Sequence, residues 1–403
     1  MNHEFYLRIS NISKKTVKKK IVLFFGRETF SDNTKYLYLK ALEEQSDFQC
    51  IWCSCEETLI ATLKEKNLPC HLISNDTFQE TINLFLSAAV ALFSVNPSQS
   101  LYGSEEIFSA LQGAKHFQLW HGVSVKHLLL TLTPHLNLMD YDFRRSVDFA
   151  SQADCILSTS SHLDRHFNAF FGCKRIVRAG YPRNEVIKRP ATEHELIGSE
   201  LPPSVLKTLE NSTLKKVFFA PTWQREESNL ITSDPDFLKK VAILCKKNNA
   251  ELFIKSHPMI INDDKTRKLP GNITFLNASL DIYPHLNKFD LLITDYSSIL
   301  FDFLLTEKPI LRLEINSGEH RRYEPDFSLV PDIDFAYQFN KKNIEQVFKQ
   351  ALENDVKQAD RQKMAAALYE TEVLQSSSSL IRFLQSEVKT AVDASQQFTV
   401  EQY

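Results

Sequence analysis

Hydrophobic residues in this chain fall into short runs that alternate with longer stretches in which apolar positions recur at helical spacing. This alternation is typical of a parallel sheet covered by helices. For the first half we predict helices such as Tyr36–Gln45 and Glu57–Lys66. The predicted strands there are Ile21–Phe25, Gln49–Cys53, His71–Ile73, Ala89–Phe93, His116–Trp120, Cys155–Ser158 and Arg175–Arg178.

The segment from Lys188 to Lys215 interrupts this alternation with prolines and polar residues, which is typical of a connection between domains. A second series follows, with predicted strands Lys216–Ala220, Glu251–Lys255, Ile273–Phe275, Leu291–Thr294 and Ile310–Leu313. Its predicted helices are Phe237–Lys247, Ser298–Leu304, Asn343–Tyr369 and a stretch from Leu374 to about Val388. The residues from Asp393 on are expected to fray.

The 403 residues exceed the roughly 250–300 at which a single hydrophobic core usually stops growing. We predict an N-terminal domain over residues 1–187, a linker over 188–215, a C-terminal domain over 216–390 and a polar tail over 391–403. Open parallel sheets bind ligands at the carboxyl ends of their strands. A cleft lined by those strand ends is therefore expected between the two halves.

Composition excludes several classes of protein. A formal net charge of −3 gives no overall positive field for nucleic acid, so no nucleic-acid partner is expected. No apolar run reaches the ~18 residues of a membrane span. Nine glycines include neither a P-loop nor a GxGxxG fingerprint. Seven scattered cysteines do not resemble a disulfide framework, so we expect a cytoplasmic protein.

Two local features have competing interpretations. The lysines at positions 14, 15, 18, 19 and 20 form either a solvated flank, which we favour, or a contact with anionic lipid headgroups. Cys50, Cys53 and Cys55 lie near Cys70 and His71, but a zinc site needs paired, closely spaced ligands. An apolar strand explains this stretch better, and no metal site is predicted.

Polar residues follow the first predicted strand directly, and Ser31, Asp32 and Asn33 are the candidates there. Ser31 or Asp32 can cap the next helix. Alternatively, this loop holds an acceptor hydroxyl.

His121 directly follows a predicted strand and precedes Gly122, with Lys126 nearby. An imidazole there has a suitable pKa for taking a proton from an alcohol. A structural histidine is the alternative, but the neighbouring glycine favours a general base.

In the turn Gly180 to Asn184, Arg183 suits phosphate recognition. A turn with a solvated arginine fits that sequence equally well.

In the second half, Lys255 and His257 emerge together from a predicted strand and suit a phosphoryl group. The most informative stretch is residues 291–302, where an apolar strand runs into Ser297 and Ser298 at the start of a helix. Backbone N–H groups and hydroxyls converge there, which favours an anion site. A plain serine cap does not explain the flanking acidic residues.

These motifs resemble the CDP-glycerol glycerophosphotransferase family, which includes teichoic acid primases and polymerases and related capsule enzymes. They occur in the family's order from roughly Ile21 to Leu313. The matching residues are Ser31-Asp32-Asn33, Trp120-His121-Gly122 with Lys126, Gly180-Tyr181-Pro182-Arg183-Asn184, Ala220-Pro221-Thr222-Trp223, Lys255 with His257-Pro258, and Thr294-Asp295-Tyr296-Ser297-Ser298 with Phe301-Asp302.

The resemblance implies a GT-B-type α/β fold of two Rossmann-like domains facing a central cleft, with the CDP donor bound by the C-terminal domain. It implies essential roles for two histidines, and so the predicted catalytic residues are His121 and His257. The predicted acceptor-side residues are Ser31, Asp32, Asn33 and Lys126. The predicted donor-binding residues are Lys255, Thr294, Asp295, Ser297, Ser298, Asp302 and Arg183.

The activity implied is transfer of a polyol phosphate, with glycerol phosphate favoured, from CDP-glycerol or CDP-ribitol to a polymer or lipid-linked glycan, releasing CMP. Glu185 and Val125 depart from the family's usual residues, and the long amino-terminal extensions of larger polymerases are absent, which leaves polymerase and single-addition activity open. No tightly bound cofactor is expected, and a divalent cation accompanying the donor is left open. Peripheral contact with the inner face of the cell membrane is an option.

Two other functions are retained as alternatives. One is a GT-B nucleotide-sugar glycosyltransferase, because a fold does not determine chemistry. The other is a non-catalytic polymer-binding or assembly protein, against which the intact His121 and His257 argue.

Overall fold

The computed structural model describes residues 3–125, 153–171, 173, 175–222, 235–255, 271–314 and 325–400. The strands are β1 Lys19–Phe25, β2 Gln49–Ser54, β3 Cys70–Leu72, β4 Ala88–Phe93, β5 Lys115–Gln118, β6 Cys155–Ser158, β7 Arg175–Arg178, β8 Lys215–Phe219, β9 Ala250–Lys255, β10 Ile273–Leu276, β11 Leu291–Thr294, β12 Ile310–Leu313 and β13 Tyr337–Phe339.

The helices are α1 His3–Lys15, α2 Asp32–Glu43, α3 Glu57–Glu65, α4 Phe78–Ser87, α5 Pro97–Ser100, α6 Glu105–Ser109, α7 Ser161–Phe171, α8 Glu185–Lys188, α9 Pro203–Asn211, α10 Pro235–Lys247, α11 Ile299–Asp302, α12 Ile344–Glu353, α13 Gln358–Leu368 and α14 Ser376–Val400. Short 3-10 helices span Pro182–Asn184, His194–Leu196, Tyr283–Lys288, Phe303–Thr306, Phe327–Leu329 and Val373–Gln375.

The chain divides into two compact units. The first contains the described residues up to His121, those within 153–185 and those from Tyr369 onward. The second contains Gly122 to Val125 and the described residues of 186–368.

The first unit is built on a parallel sheet with the strand order β3-β2-β1-β4-β5-β6-β7. Val22 to Phe25 of β1 are fully buried, as expected for a strand covered on both faces. The strand order reverses between β1 and β4. Such a reversal creates a crevice at the carboxyl ends of the two strands.

The second unit is built on a parallel sheet with the order β10-β9-β8-β11-β12-β13. Its core places Val217, Ile293 and Leu311 on one face beneath α10 and α12. The order reverses between β8 and β11, so this sheet has a switch point as well. The predicted class of two α/β domains with parallel sheets is what the structure contains.

The C-terminal helix lies in a different unit from the one we predicted. The first unit includes Tyr369 onward, whereas the sequence-based boundary placed residues up to 390 with the second. Leu380, Leu384 and Val388 recur at helical spacing on α14 and are buried, and α14 contacts β1, β4 and α2. The apolar stripe of α14 therefore completes the core of the first unit, and α14 continues to Val400 instead of fraying at Asp393.

The lysines at the N-terminus do not form one solvated run. Residues 3–15 form α1, which the sequence analysis did not predict, and Lys18 is only 4% exposed. Its amine donates to the main-chain oxygens of Ser13 at 2.9 Å and Leu86 at 2.7 Å. Burial lowers the Lys18 pKa to about 8. The solvated-flank interpretation is therefore wrong for Lys18, while Lys14, Lys15, Lys19 and Lys20 are exposed.

Within the described residues, no helix is long and apolar enough to cross a membrane. The same residues contain no group of three or more His, Cys, Asp or Glu side chains placed to hold a metal ion. All seven cysteines are free thiols, and burial raises the pKa of Cys50 to about 11.

Candidate active site

The first polar cluster lies at the switch point of the first sheet, where the loop after β1 meets the loops after β4 and β5. Asn33 donates through Nδ2 to the main-chain oxygen of Trp120 at 2.8 Å. Thr34 donates its backbone N–H to Ser94 Oγ at 2.9 Å. Two motifs that the sequence presents separately are therefore parts of one site.

His121 is half-buried in this cluster. Its Nδ1 lies 3.2 Å from the main-chain oxygen of Ser94. A carbonyl oxygen can only accept, so Nδ1 carries the hydrogen in this contact and the neutral ring has its lone pair on Nε2. The Ser94 carbonyl thus selects the tautomer in which Nε2 is basic.

The backbone of this cluster adopts conformations that residues with a Cβ rarely occupy. Asp32 has a φ of 71° and Trp120 a φ of 54°, both left-handed. Gly122, directly after His121, has a φ of 120°, which glycine adopts at low cost. Left-handed non-glycine residues each cost ~1–3 kcal/mol and are concentrated at functional sites. The bond from Asn33 to Trp120 is one of the contacts that holds this backbone in place.

Arg183 joins the same cluster from the end of β7. It donates through Nη1 to Asp32 Oδ1 at 2.5 Å and through Nη2 to the main-chain oxygen of His121 at 2.8 Å. Its side chain is 4% exposed, so the alternative of a solvated arginine is wrong. The structure places Arg183 in the first unit with the predicted acceptor-side residues Asp32 and Asn33, whereas the other residues predicted to bind the donor belong to the second unit.

Ser31 and Gly180 have structural surroundings that the motifs alone did not indicate. Ser31 precedes α2 but its side chain makes no capping bond to that helix; its Oγ lies 2.9 Å from Thr29 Oγ1. A Cβ on Gly180 would lie 2.1 Å from Ser376 Oγ. Gly180 therefore allows the start of α14 to approach the end of β7 closely.

The second cluster lies at the switch point of the second sheet and joins the ends of β8 and β11. Asp295 accepts from the backbone N–H of Thr222 at 3.0 Å, from Thr222 Oγ1 at 2.6 Å and from the backbone N–H of Ser297 at 3.0 Å. Thr294 Oγ1 donates to the main-chain oxygen of Ala220 at 2.6 Å. Asp295 and Thr294 therefore hold the two loops together.

The remaining donor-side predictions differ in how accessible their side chains are. Asp302 is fully buried and accepts from Tyr283 OH at 2.6 Å, whereas Ser297 and Ser298 are half-buried. The helix that they precede, α11, has a single turn before a 3-10 turn. Its dipole is correspondingly small, so the hydroxyl and N–H groups matter more than the dipole.

Lys255 is half-buried at the end of β9, beside β8 in the same sheet. The structure thus brings Lys255, the Thr222 loop and the Ser297 loop to adjacent strand ends. His257 and Lys126 lie outside the described residues, as does Trp223.

Ser94 is a residue of the candidate site that sequence reasoning missed. It follows β4 directly, in the same strand-end position as the residues that were selected. That position was the signal that could have identified it. Its contact with His121 is made by a main-chain oxygen, which a motif of side-chain types does not reveal.

Comparison with known proteins gives several relatives. The chain is 25% identical over 311 residues to the teichoic acid poly(glycerol phosphate) polymerase of Bacillus subtilis strain 168, covering 74% of this chain and 39% of that protein. It is 24% identical over 329 residues to the teichoic acid glycerol-phosphate transferase of Staphylococcus aureus strain NCTC 8325, covering 77% of each. The chain spans 39% and 40% of the first two curated polymerases it matches.

Solved structures support the fold. The wall teichoic acid polymerase TagF aligns with a TM-score of 0.67 at 18% identity, over 96% of this chain and 94% of that one. A putative UDP-N-acetylglucosamine 2-epimerase from Listeria monocytogenes aligns with a TM-score of 0.57 at 14% identity, over 92% and 96%. The predicted GT-B-type α/β fold is confirmed.

The family model described as CDP-glycerol:poly(glycerophosphate) glycerophosphotransferase matches residues 7–381, which is most of the chain. This match includes every motif on which the resemblance was based. The chain belongs to the CDP-glycerol:poly(glycerophosphate) glycerophosphotransferase family.

Proposed function

We propose that this chain transfers a polyol phosphate from a CDP-activated donor to a hydroxyl of a cell-surface polymer or its linker, releasing CMP. Glycerol phosphate is the favoured polyol phosphate. Family membership supports the donor class. The observation that supports the chemistry most is His121, whose Nδ1 contact with the Ser94 carbonyl leaves the basic lone pair on Nε2.

In the proposed reaction, His121 Nε2 takes the proton of the acceptor hydroxyl as its oxygen attacks the phosphorus that carries the polyol. A new P–O bond forms to the acceptor, and the bond from that phosphorus to the bridging oxygen breaks. The electron pair of the broken bond leaves with CMP. A general base in this position contributes typically ~10²–10⁴-fold to the rate.

Binding of the donor is assigned to the second unit. Ser297 and Ser298 offer half-buried hydroxyls at its switch point, and Lys255 offers a cationic group at an adjacent strand end. Hydrogen bonds and positive charge stabilise a pyrophosphate in the ground state and in the transition state. His257 is proposed to steady the phosphoryl oxygens beside Lys255.

The proposal also includes peripheral contact with the inner face of the cell membrane, where lipid-linked acceptors would be held. Three large hydrophobic side chains near the N-terminus are exposed, at 43%, 50% and 41%. Exposed lysines lie close to them in the sequence. We call this set of exposed residues the α1 patch, and it consists of Leu7, Ile12, Val17, Lys14, Lys15, Lys19 and Lys20. Apolar side chains with adjacent lysines are the combination that binds anionic bilayer surfaces.

The test is a nucleotide-release assay on purified protein. CDP-glycerol, CDP-ribitol and UDP-sugars are each supplied with candidate acceptors, with and without Mg²⁺, and CMP, CDP and UDP are quantified. Acceptor-dependent CMP release supports the proposal, and the preferred CDP donor identifies the polyol. Release of UDP alone would favour a nucleotide-sugar glycosyltransferase. Polymer binding without release of any nucleotide would favour a non-catalytic protein.

A further inference from the structure

Arg312 occupies a position beside the Ser297 loop that no motif indicated. It lies near the carboxyl end of β12 and is the register partner of Thr294 on β11. Neighbouring strands are ~5 Å apart, so the two residues are immediate neighbours. Because side chains alternate along a strand, both lie on the sheet face opposite Ile293 and Leu311, which belong to the core.

This sheet face opens toward solvent next to Arg312. Thr294 is 1% exposed, Arg312 is half-buried, and its register partner on the other side, Gln338 of the edge strand β13, is exposed. Arg312 therefore stands at the border between the interior and an accessible surface. A ligand can reach such a side chain.

Among the residues that the structure describes, the guanidinium of Arg312 has an aromatic contact but no polar partner. Its central carbon lies over the ring of Phe327, 4.1 Å from the ring centre. Within the part of the chain that the structure describes, it forms no hydrogen bond and no ion pair. Asp334 is the carboxylate that acts on it electrostatically, but Asp334 is itself paired with Lys357. Burial lowers the pKa of Arg312, as expected of a desolvated cation.

A partly buried arginine without a hydrogen-bonding partner is costly, because a desolvated charge needs compensation. The contact with Phe327 restricts the position of the guanidinium, whose N–H donors lie in its own plane. The residue before Phe327 anchors this platform, since Asp326 donates its backbone N–H to the main-chain oxygen of Val125 at 2.7 Å. Val125 lies in the segment that follows His121 in the sequence.

We propose that Arg312 binds a phosphate oxygen of the substrate with its planar fork of N–H donors. The inference rests on the proposed function, which supplies two sources of that chemistry: the pyrophosphate of the CDP donor and the phosphodiesters of a poly(glycerol phosphate) acceptor. Both carry oxygens that match the donor geometry of arginine. Arg312 would act together with Ser297 and Ser298 from the neighbouring strand end.

Calorimetry on the full chain tests this with three variants. Arg312→Met keeps the apolar stem and removes the donors; Arg312→Lys keeps the charge but not the planar fork; Phe327→Leu removes the stacking platform. As a matched control, Arg165→Met alters an arginine that is exposed on α7. Each protein is titrated with CDP-glycerol and with a short poly(glycerol phosphate) oligomer, after circular dichroism and thermal melting have confirmed folding.

We expect Arg312→Met to raise the Kd of one ligand about 10- to 100-fold, Arg312→Lys and Phe327→Leu to raise it less, and Arg165→Met to leave it unchanged. The affected ligand identifies the source of the phosphate. If the wild type binds both ligands and Arg312→Met binds them with the same affinity, the inference is overturned while the proposed function stands. A wild-type protein that binds neither ligand would overturn the proposed function and this inference with it.

Discussion

Arg183 donates to the main-chain oxygen of His121 at 2.8 Å while its other terminal nitrogen donates to Asp32 at 2.5 Å. One buried guanidinium therefore connects the loop after β1 with the residue proposed as the general base. We therefore propose Arg183 as a positioning residue for His121, acting through the backbone.

Arg183→Lys should lower kcat while leaving the KM for the CDP donor nearly unchanged. Lysine keeps the charge but cannot donate in two fixed directions, and a misplacement of ~1 Å at a catalytic group can cost ~10²-fold. Steady-state kinetics on CMP release measures both constants. Arg178→Lys is the matched control, because Arg178 ends β7, shortly before Arg183 in the sequence, and pairs with Asp164 at 2.5 Å. A rise in donor KM at unchanged kcat would instead return Arg183 to donor binding.

His121→Ala should reduce turnover by ~10²–10⁴-fold while donor affinity is largely retained. The imidazole is proposed to act on the acceptor proton, which is not part of donor binding. Turnover and calorimetric CDP-glycerol binding are measured on the same preparation. Near-normal turnover would exclude His121 as the base, and Ser94 would then have no catalytic role through its carbonyl.

The double variant Ser297→Ala/Ser298→Ala should weaken CDP-glycerol binding by at least ~100-fold if the two contributions add, since a hydrogen bond to a charged group is worth ~1.5–3 kcal/mol. Backbone donors would remain. Isothermal titration calorimetry measures the loss, with the exposed Ser279→Ala as control. Unaltered affinity in the double variant would show that the donor phosphate binds elsewhere.

Lys18 should make folding stability depend on pH between about 8 and 10.5. Burial lowers its pKa in the folded protein from 10.5 to about 8, so over this range the unfolded chain binds more protons than the folded one. Stability therefore rises as pH rises through this window and is lost as pH falls through about 8, by up to about 3 kcal/mol. Chemical denaturation of wild type and Lys18→Met at pH 7.5 and 10 measures the free energy of unfolding of each protein. If the difference in this free energy between the two proteins is the same at both pH values, the prediction is contradicted.

Replacing Lys14, Lys15, Lys19 and Lys20 with glutamine should reduce sedimentation with anionic liposomes and its sensitivity to salt, because screening acts on exposed charges. Activity on soluble acceptors should not change. The matched control changes the four exposed lysines of α10, which are Lys239, Lys240, Lys246 and Lys247. Equal sedimentation of the two quadruple variants would mean that the α1 patch has no special affinity for membranes.

Many strands could be predicted closely because short runs of apolar residues mark them in the sequence. Cys155–Ser158, Arg175–Arg178, Leu291–Thr294 and Ile310–Leu313 have the predicted bounds. The edge strand Tyr337–Phe339 was missed, since its burial alternates around an exposed Gln338. Helix α1 was missed because its lysines and serines obscured the apolar positions that pack against the unit.

The candidate site residues were selected because they lie at strand ends. The sequence did not show which of them contact each other. Asp32 and Arg183 are 151 residues apart in sequence and Asn33 and Trp120 are 87 apart, so no local pattern could pair them. Arg312 lies within an otherwise apolar strand, so the sequence presents it as a single polar residue without a motif around it. Its neighbours Thr294 and Phe327 come from other elements.

The sequence by itself determined the alternation of strands and helices, the family, and the strand-end residues proposed to carry the chemistry, because these depend on local periodicity and residue type. Only the tertiary structure decided that Arg183 supports His121, that the Ser94 carbonyl selects the tautomer, and that α14 completes the first unit. Those outcomes depend on parallel strands that bring distant loops to one edge of a sheet, and on buried polar groups that must find partners there.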